Sequence, residues 1–414
     1  MHSIRKSLLQ LVFSGAYMLR WNDKLRPVSL WELDKQGHKM ILAWLLWHCN
    51  AEDLPQEEQL ALGLQVVEGG LFDYLYRLVI TDIKPPVFYR IKGNKEHYAQ
   101  LTDFVLRELE PAVRPLGEDF WERMCAFFRD DGYGSKADQI LKAAHLYASN
   151  WEFNLIKPLN GFDDEIPGIG EDFQRDLHAL RGLRGMPQLL AEQSALARFA
   201  AFCGQLRFQI RWTQTPRTPA TSVLAHMFLV ACYAYFWSLT VNACTSRRLN
   251  NFFCGLFHDL PELLTRDIIS PVKRSVDSLP ALIRKYEEQE LERRIFARLR
   301  ADGLGSLVER LQYFLGLATG SEFHETIREP GGTARKVANF EEMQTRYNED
   351  AFDPKDGSLI KACDLLAAFI EAHSSIRNGI TSSSLQEAVA RMRAEFRKNP
   401  VYTLGFSTLL ADFD

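Results

Sequence analysis

The seven cysteines of this 414-residue chain are scattered, odd in number and without a Cys-x-x-Cys pair. That excludes a disulfide framework and a zinc knuckle, and it predicts free thiols in a reducing interior. An excess of one charge is also lacking: a formal net charge of −4 leaves no basic footprint for long nucleic acid, although local pockets for a small phosphate remain compatible with it. A signal-peptide pattern is absent, because Arg20, Asp23 and Lys24 follow a short apolar run. Long hydrophobic runs are scarce. The exception, 223–241, is just long enough to cross a bilayer and carries His226 near its start. In a helical protein it reads better as a central helix buried on all sides. The expectation is a soluble cytoplasmic protein with no membrane partner.

Alternating strand patterns are few as well. Apolar residues recur at three- and four-residue spacings with charges between them, as over 282–300 and 385–398. The fold class predicted is all-α. One small hairpin is expected near Tyr89–Lys95, where Gly93-Asn94 interrupts a short extended pattern.

The chain also repeats itself. Residues 70–87 lie over 255–272 without a gap, and nine of the eighteen positions are identical. Upstream, Arg20-Trp21 and Arg26 match Arg211-Trp212 and Arg217 at the same spacing. His38 then matches His226 if three extra residues are allowed in the first copy. Downstream, Lys142 and His145 match Lys361 and Asp364, and Glu152 matches Glu371. Three blocks in one order predict a tandem duplication of two helical bundles. The domains expected are 1–160, a linker with a connecting helix over 161–191, and 192–414. The boundary falls in the Pro- and Gly-rich stretch 157–171, with the connecting helix over 172–181 closed by Gly182. The second copy carries an extra polar loop, 328–357, whose length predicts a lid or a substrate-contacting segment.

In the second copy His226, His258, Asp259 and Asp364 each stand in an apolar helical context. An ionised Asp is expensive to bury alone, and metal coordination would explain it. Two imidazoles and two carboxylates suit a divalent ion such as Mn, Co, Fe, Zn or Mg, with positions left for water. Pro261 argues for a helix ending at His258-Asp259 and a short new one after it, from which Glu262 would project as a general acid or base. Arg211, Arg217 and Lys273 are the positive groups near these motifs. Arg grips a phosphate bidentately and Lys acts as a point charge. Trp212 offers a face for a base or sugar, and Asp267 an acceptor for a substrate hydroxyl.

The order His226, His258-Asp259, Asp364 resembles the H…HD…D signature of HD-domain metal-dependent phosphohydrolases. With Arg211-Trp212, Arg217, Glu262, Asp267 and Pro271-Val272-Lys273 added, 192–380 is similar to the YfbR-type bacterial 5′-deoxynucleotidase branch. The resemblance implies an all-helical HD bundle in each copy, a divalent metal, and hydrolysis of a small phosphate ester, typically a deoxynucleoside monophosphate. It further implies that Glu262 assists proton transfer, that Arg211, Trp212, Arg217 and Lys273 contact substrate, and that Asp267 meets the sugar. Ala225 stands where that branch usually has an acidic residue, and the chain is twice the usual length, so fold and metal chemistry transfer better than substrate identity. The first copy departs further, with Asp73-Tyr74 for His-Asp, Arg77 for Glu262 and His145 for Asp364. His38, Asp73 and His145 are left as an altered ligand set, or the copy is a built-in partner in an internal pseudo-dimer. A nucleotide-sensing protein with little turnover remains the alternative function.

Overall fold

A computed structural model describes residues 3–129, 135–266, 268, 276–329, 331–398 and 405–413. Its N-terminal half runs through α1 (Lys6–Ser14), α2 (Glu32–Ala51), α3 (Gln56–Ile80), α4 (Pro85–Lys92), α5 (Lys95–Val113), α6 (Glu118–Arg129) and α7 (Ser135–Ile156). Two connecting helices follow, α8 (Glu165–Ala179) and α9 (Met186–Leu190). The second half contains α10 (Ala195–Gln205), α11 (Val223–Thr240), α12 (Thr245–Phe257) and the short α13 (Glu262–Thr265). Next comes α14 (Leu279–Leu291), which passes through a π-helical turn, Glu292–Phe296, into α15 (Ala297–Ala301). The remaining helices are α16 (Gly305–Phe314), α17 (Phe340–Arg346), α18 (Gly357–Arg377), α19 (Ser383–Lys398) and α20 (Phe406–Ala411). The all-α expectation is met.

The apolar run 223–241 forms the central helix. All residues of α11 from Val223 to Leu239 are buried, so its hydrophobicity is that of a core element. α11 packs against α2, α12 and α18, and one continuous hydrophobic core spans both halves. α12 approaches α11 closely because Gly255 has no side chain: a Cβ there would lie 2.9 Å from the Ala231 backbone.

Three sequence expectations need correction. Tyr89–Lys95 is not a hairpin. α4 runs through Lys92, and the Asn94 side chain caps α5 by accepting from the Glu96 and His97 amides. The connecting helix begins at Glu165, seven residues early, because Pro167 falls in its first turn, where amides lack helical partners anyway. The segment 328–357 is not a loop. It holds an antiparallel hairpin, β1 (Thr326–Arg328) with β2 (Ala334–Lys336), then α17, and Ile327, Val337 and Met343 give it a small core. Its Asn348 and Asp350 side chains accept from the Cys244 and Ser246 amides at the start of α12. His258 follows the other end of that 13-residue helix, about 20 Å away at 1.5 Å per residue. These contacts brace the start of α12, at the end away from His258.

The halves also meet at a buried carboxyl. Ser222, the N-cap of α11, donates to Asp34 of α2. Burial pushes Asp34 up to about 6, although Arg207 and Ser222 oppose the shift. A folded-state pKa above the unfolded one means stability that is complete below about 4 and lost as pH rises through about 6. Asp34→Asn removes this dependence. Its stability relative to wild type should rise by an amount on the order of 3 kcal/mol between pH 4 and pH 7.5, measured by urea unfolding. A difference that does not vary with pH would contradict it.

Candidate metal centre

Three helix ends converge on one spot. Ser222 caps α11 by accepting from the Ala225 amide, which sets His226 in the first turn. α12 stops at Phe257, so His258 and Asp259 leave its C-terminal end, and Pro261 stands directly before α13. α18 carries Asp364 and Glu371 two turns apart on one face.

His226, His258 and Asp259 offer ligand atoms all within 4.8 Å of one another. Asp364 joins through His226, with its Oδ1 3.0 Å from His226 Nε2. Asp259 Oδ2 lies 3.2 Å from His258 Nε2 and 4.0 Å from His226 Nε2. The other ring nitrogens are held from behind. His226 Nδ1 faces Glu371 Oε1 at 3.3 Å, and His258 Nδ1 faces the Gly255 carbonyl at 2.8 Å. Each Nδ1 can therefore donate its proton to an acceptor and leave the Nε2 lone pair aimed at the carboxylates, as a metal-ligating imidazole requires. Among the described residues His258 Nε2 is buried with no well-aligned hydrogen bond, Asp259 Oδ2 lying 3.2 Å away. Two aimed imidazole nitrogens beside two carboxylates fit a divalent ion with mixed nitrogen and oxygen ligands.

The electrostatics are those of a cation site. Burial would raise Asp259, but His258, Arg211 and His226 outweigh it and hold the carboxyl below its usual range. Burial likewise opposes ionised Asp364, and Lys361, His226 and His258 hold it far down. Burial lowers His258, but Asp259 and Asp364 overcome that and raise it to about 9. Ligation needs the unprotonated ring. Metal uptake should therefore release protons at pH 7 and tighten as pH rises toward 9. Calorimetry in buffers of different ionisation enthalpy reads that release, and a buffer-independent heat would contradict it.

Arg211, Trp212 and Arg217 surround Glu371 behind His226. Trp212 Nε1 donates to Glu371 Oε2 at 2.9 Å, Arg211 Nε lies 3.6 Å and Arg217 Nη1 3.9 Å from the same oxygen, and Arg211 Nη1 reaches Asp259 Oδ2 at 3.2 Å. Thr221 Oγ1 donates to Glu371 Oε1 at 2.9 Å. Burial opposes the Glu371 charge, but Arg211, Arg217 and His226 keep it ionised well below the usual range. In this arrangement the aromatic and guanidinium groups support the imidazole. Glu262 is buried at the start of α13. Asp267 and Lys273 lie outside the described residues. Sequence reasoning did not assign Glu371, Thr221, Lys361 or Phe323 to the site. Glu371 and Lys361 each carry a signal, their matches to Glu152 and Lys142.

Those matches lead to the corresponding place in the N-terminal half. The bridges Leu19↔Trp31 and Ile210↔Ser222 are 191 residues apart in both members. Trp21 and Trp212 share a left-handed backbone, with φ of 52° and 58°. Trp21 Nε1 donates to Glu152 Oε2 at 3.0 Å, as Trp212 does to Glu371, and Arg26 donates to the Arg20 carbonyl as Arg217 does to that of Arg211. α2 and α11 start one residue after these bridges, at Glu32 and Val223. Lys35, and not His38, therefore takes the place of His226. The three-residue gap that paired His38 with His226 is not needed. His38 points elsewhere, its Nε2 3.0 Å from the Ala200 carbonyl and its Nδ1 facing Arg207 at 3.2 Å. Lys35 Nζ lies 2.8 Å from His145 Nδ1, where His226 meets Asp364, and Asp73 pairs with Lys39 at 2.7 Å. Lys35 and burial together hold the His145 imidazole far below its usual range. His38, Asp73 and His145 do not come together as a ligand set among the described residues, where Lys35 pairs with His145 and Lys39 with Asp73.

No match was found among curated proteins or among solved structures. Residues 203–393 do match the family model of the HD domain. The matched stretch contains His226, His258, Asp259 and Asp364, and the match supports a likeness of 203–393 to HD domains, a family generally of metal-dependent hydrolases.

Proposed function

We propose that the C-terminal half hydrolyses a phosphate ester of a nucleotide, in the manner of a 5′-nucleotidase. The observation that carries this reading is that His226, His258 and Asp259 offer ligand atoms within 4.8 Å of one another, with Asp364 Oδ1 3.0 Å from His226 Nε2. His226, His258, Asp259 and Asp364 would hold a divalent ion, which when bound supplies a water of lowered pKa and neutralises phosphoryl charge. Glu371 fixes the His226 ring through Nδ1, and the Gly255 carbonyl fixes His258 in the same way. Glu262 accepts a proton from the attacking water and returns it to the leaving ester oxygen. A new P–O bond forms, the ester P–O bond breaks, and inorganic phosphate and an alcohol result. Arg211, Trp212, Arg217, Asp267 and Lys273 are the proposed substrate contacts, and the first three also hold Glu371 behind His226.

We further propose that the N-terminal half is an altered copy acting as a fixed partner that binds no metal. The paired bridges, the two left-handed tryptophans and the Trp–Glu bonds support the duplication. Lys35 in the place of His226 supports the loss of the ion.

The test is a phosphate-release screen over nucleoside mono- and triphosphates and cyclic nucleotides. Turnover of at least one nucleotide is expected. Glu262→Gln should keep its metal while losing about 10²–10⁴-fold in rate. Bound metal and nucleotide affinity without any release would favour the sensing alternative.

A further inference from the structure

We propose that Lys361 is the residue that positions the substrate phosphate. This rests on the hydrolase reading above. Asp364 divides its two oxygens: Oδ1 turns inward to His226, and Oδ2 accepts from Lys361 Nζ at 2.7 Å. Lys361 stands one turn before Asp364 on α18, and its ammonium lies 4.5 Å above the Phe323 ring. Phe323 in turn packs beside His258, with ring centroids 6.3 Å apart. The ammonium is thus clamped between a carboxylate of the ligand cluster and an aromatic wall of the same cluster, while 44% of the Lys361 side chain stays exposed.

Charge balance gives this cation a task. Asp259 and Asp364 neutralise one divalent ion, and the imidazoles bind it as neutral rings. A phosphate monoester brings a further charge of about −1.5 to −2 that has to be met in a partly dehydrated site. Arg211 and Arg217 face Glu371, and their side chains are only 13% and 2% exposed. Lys361 combines a cationic head at the rim of the cluster with access to solvent. A phosphoryl group entering beside Asp364 meets the N–H groups of Lys361 that Asp364 does not take, with Phe323 limiting where the head can go.

Titration of Mn²⁺-loaded protein with inorganic phosphate, together with elemental analysis, tests the assignment. Lys361→Met keeps the apolar stem on Phe323 and removes the charge. Its phosphate affinity should fall by about tenfold or more, the equivalent of one charge-assisted hydrogen bond. Metal content should equal wild type, and Lys361→Arg should restore most of the affinity. With a hydrolysable ester, KM should rise and kcat should change far less. Undiminished phosphate affinity in Lys361→Met would overturn the proposal. So would loss of metal in step with affinity, which would make Lys361 an anchor for Asp364 only. A wild-type protein that binds phosphate through Lys361 but cleaves no ester would leave this inference standing and defeat the hydrolase reading.

Discussion

His258→Ala or Asp259→Ala is expected to strip the protein of its divalent ion and take phosphate release to background. Each removes a proposed direct ligand, so the loss should exceed the roughly 10–100-fold cost typical of removing a supporting partner. The two variants fail for different reasons. Without His258 a buried nitrogen of the cluster that has no well-aligned hydrogen bond is gone. Without Asp259, Arg211 loses its 3.2 Å partner and both imidazoles lose a nearby negative charge. His258 should then fall from about 9 toward or below its ordinary value, because burial opposes its protonation and Asp259 is the first group to offset burial. NMR titration of the ring checks that shift alongside the metal content.

The second large effect is on stability. Arg247 of α12 holds Asp356 bidentately, with Nε to Oδ2 at 2.7 Å and Nη2 to Oδ1 at 2.8 Å, and both side chains are wholly buried. Asn251 adds two bonds, donating to Asp356 Oδ2 and accepting from the Asp356 amide, each at 2.8 Å. Asp356 directly precedes α18, so this knot fixes the start of the helix that carries Asp364 and Glu371. Arg247→Leu leaves a buried carboxylate without its cation. The expected loss is about 3–5 kcal/mol, seen as a lower urea midpoint at unchanged slope. A loss below about 1 kcal/mol would mean that water reaches Asp356 and that the knot is not closed.

Much of this arrangement was legible in the sequence, and the reason is physical. An ionised Asp in an otherwise apolar helix, or a His in the first turn of a wholly buried one, needs a compensating partner, so Asp364 and His226 stand out against their neighbours. Pro261 marked the break between α12 and α13 because its missing amide ends a helix. The near-absence of alternating patterns indicated the fold class. What failed was register and local chemistry. A helix repeats its faces every three to four residues, so Lys35 and His38 lie nearly one turn apart, and identity matching preferred the histidine. Only the bridges outside the helix decide between them. Gly93-Asn94 looked like a hairpin turn because Asn serves equally as a helix cap. The stretch 328–357 looked like a loop because its strands are three residues each and its core is three side chains. Glu371 and Lys361 were hidden because one carboxylate or one lysine on a helix has no distinguishing spacing. Their roles come from what they touch across the fold.

We propose one metal-dependent hydrolytic centre per chain, in the C-terminal half. The most direct test is metal stoichiometry with phosphate release, before chelation, after it, and after the ion is restored. One divalent ion per chain is expected, with release that disappears with the ion and returns with it, and neither in Asp259→Ala. Full release from protein shown to be metal-free would contradict it.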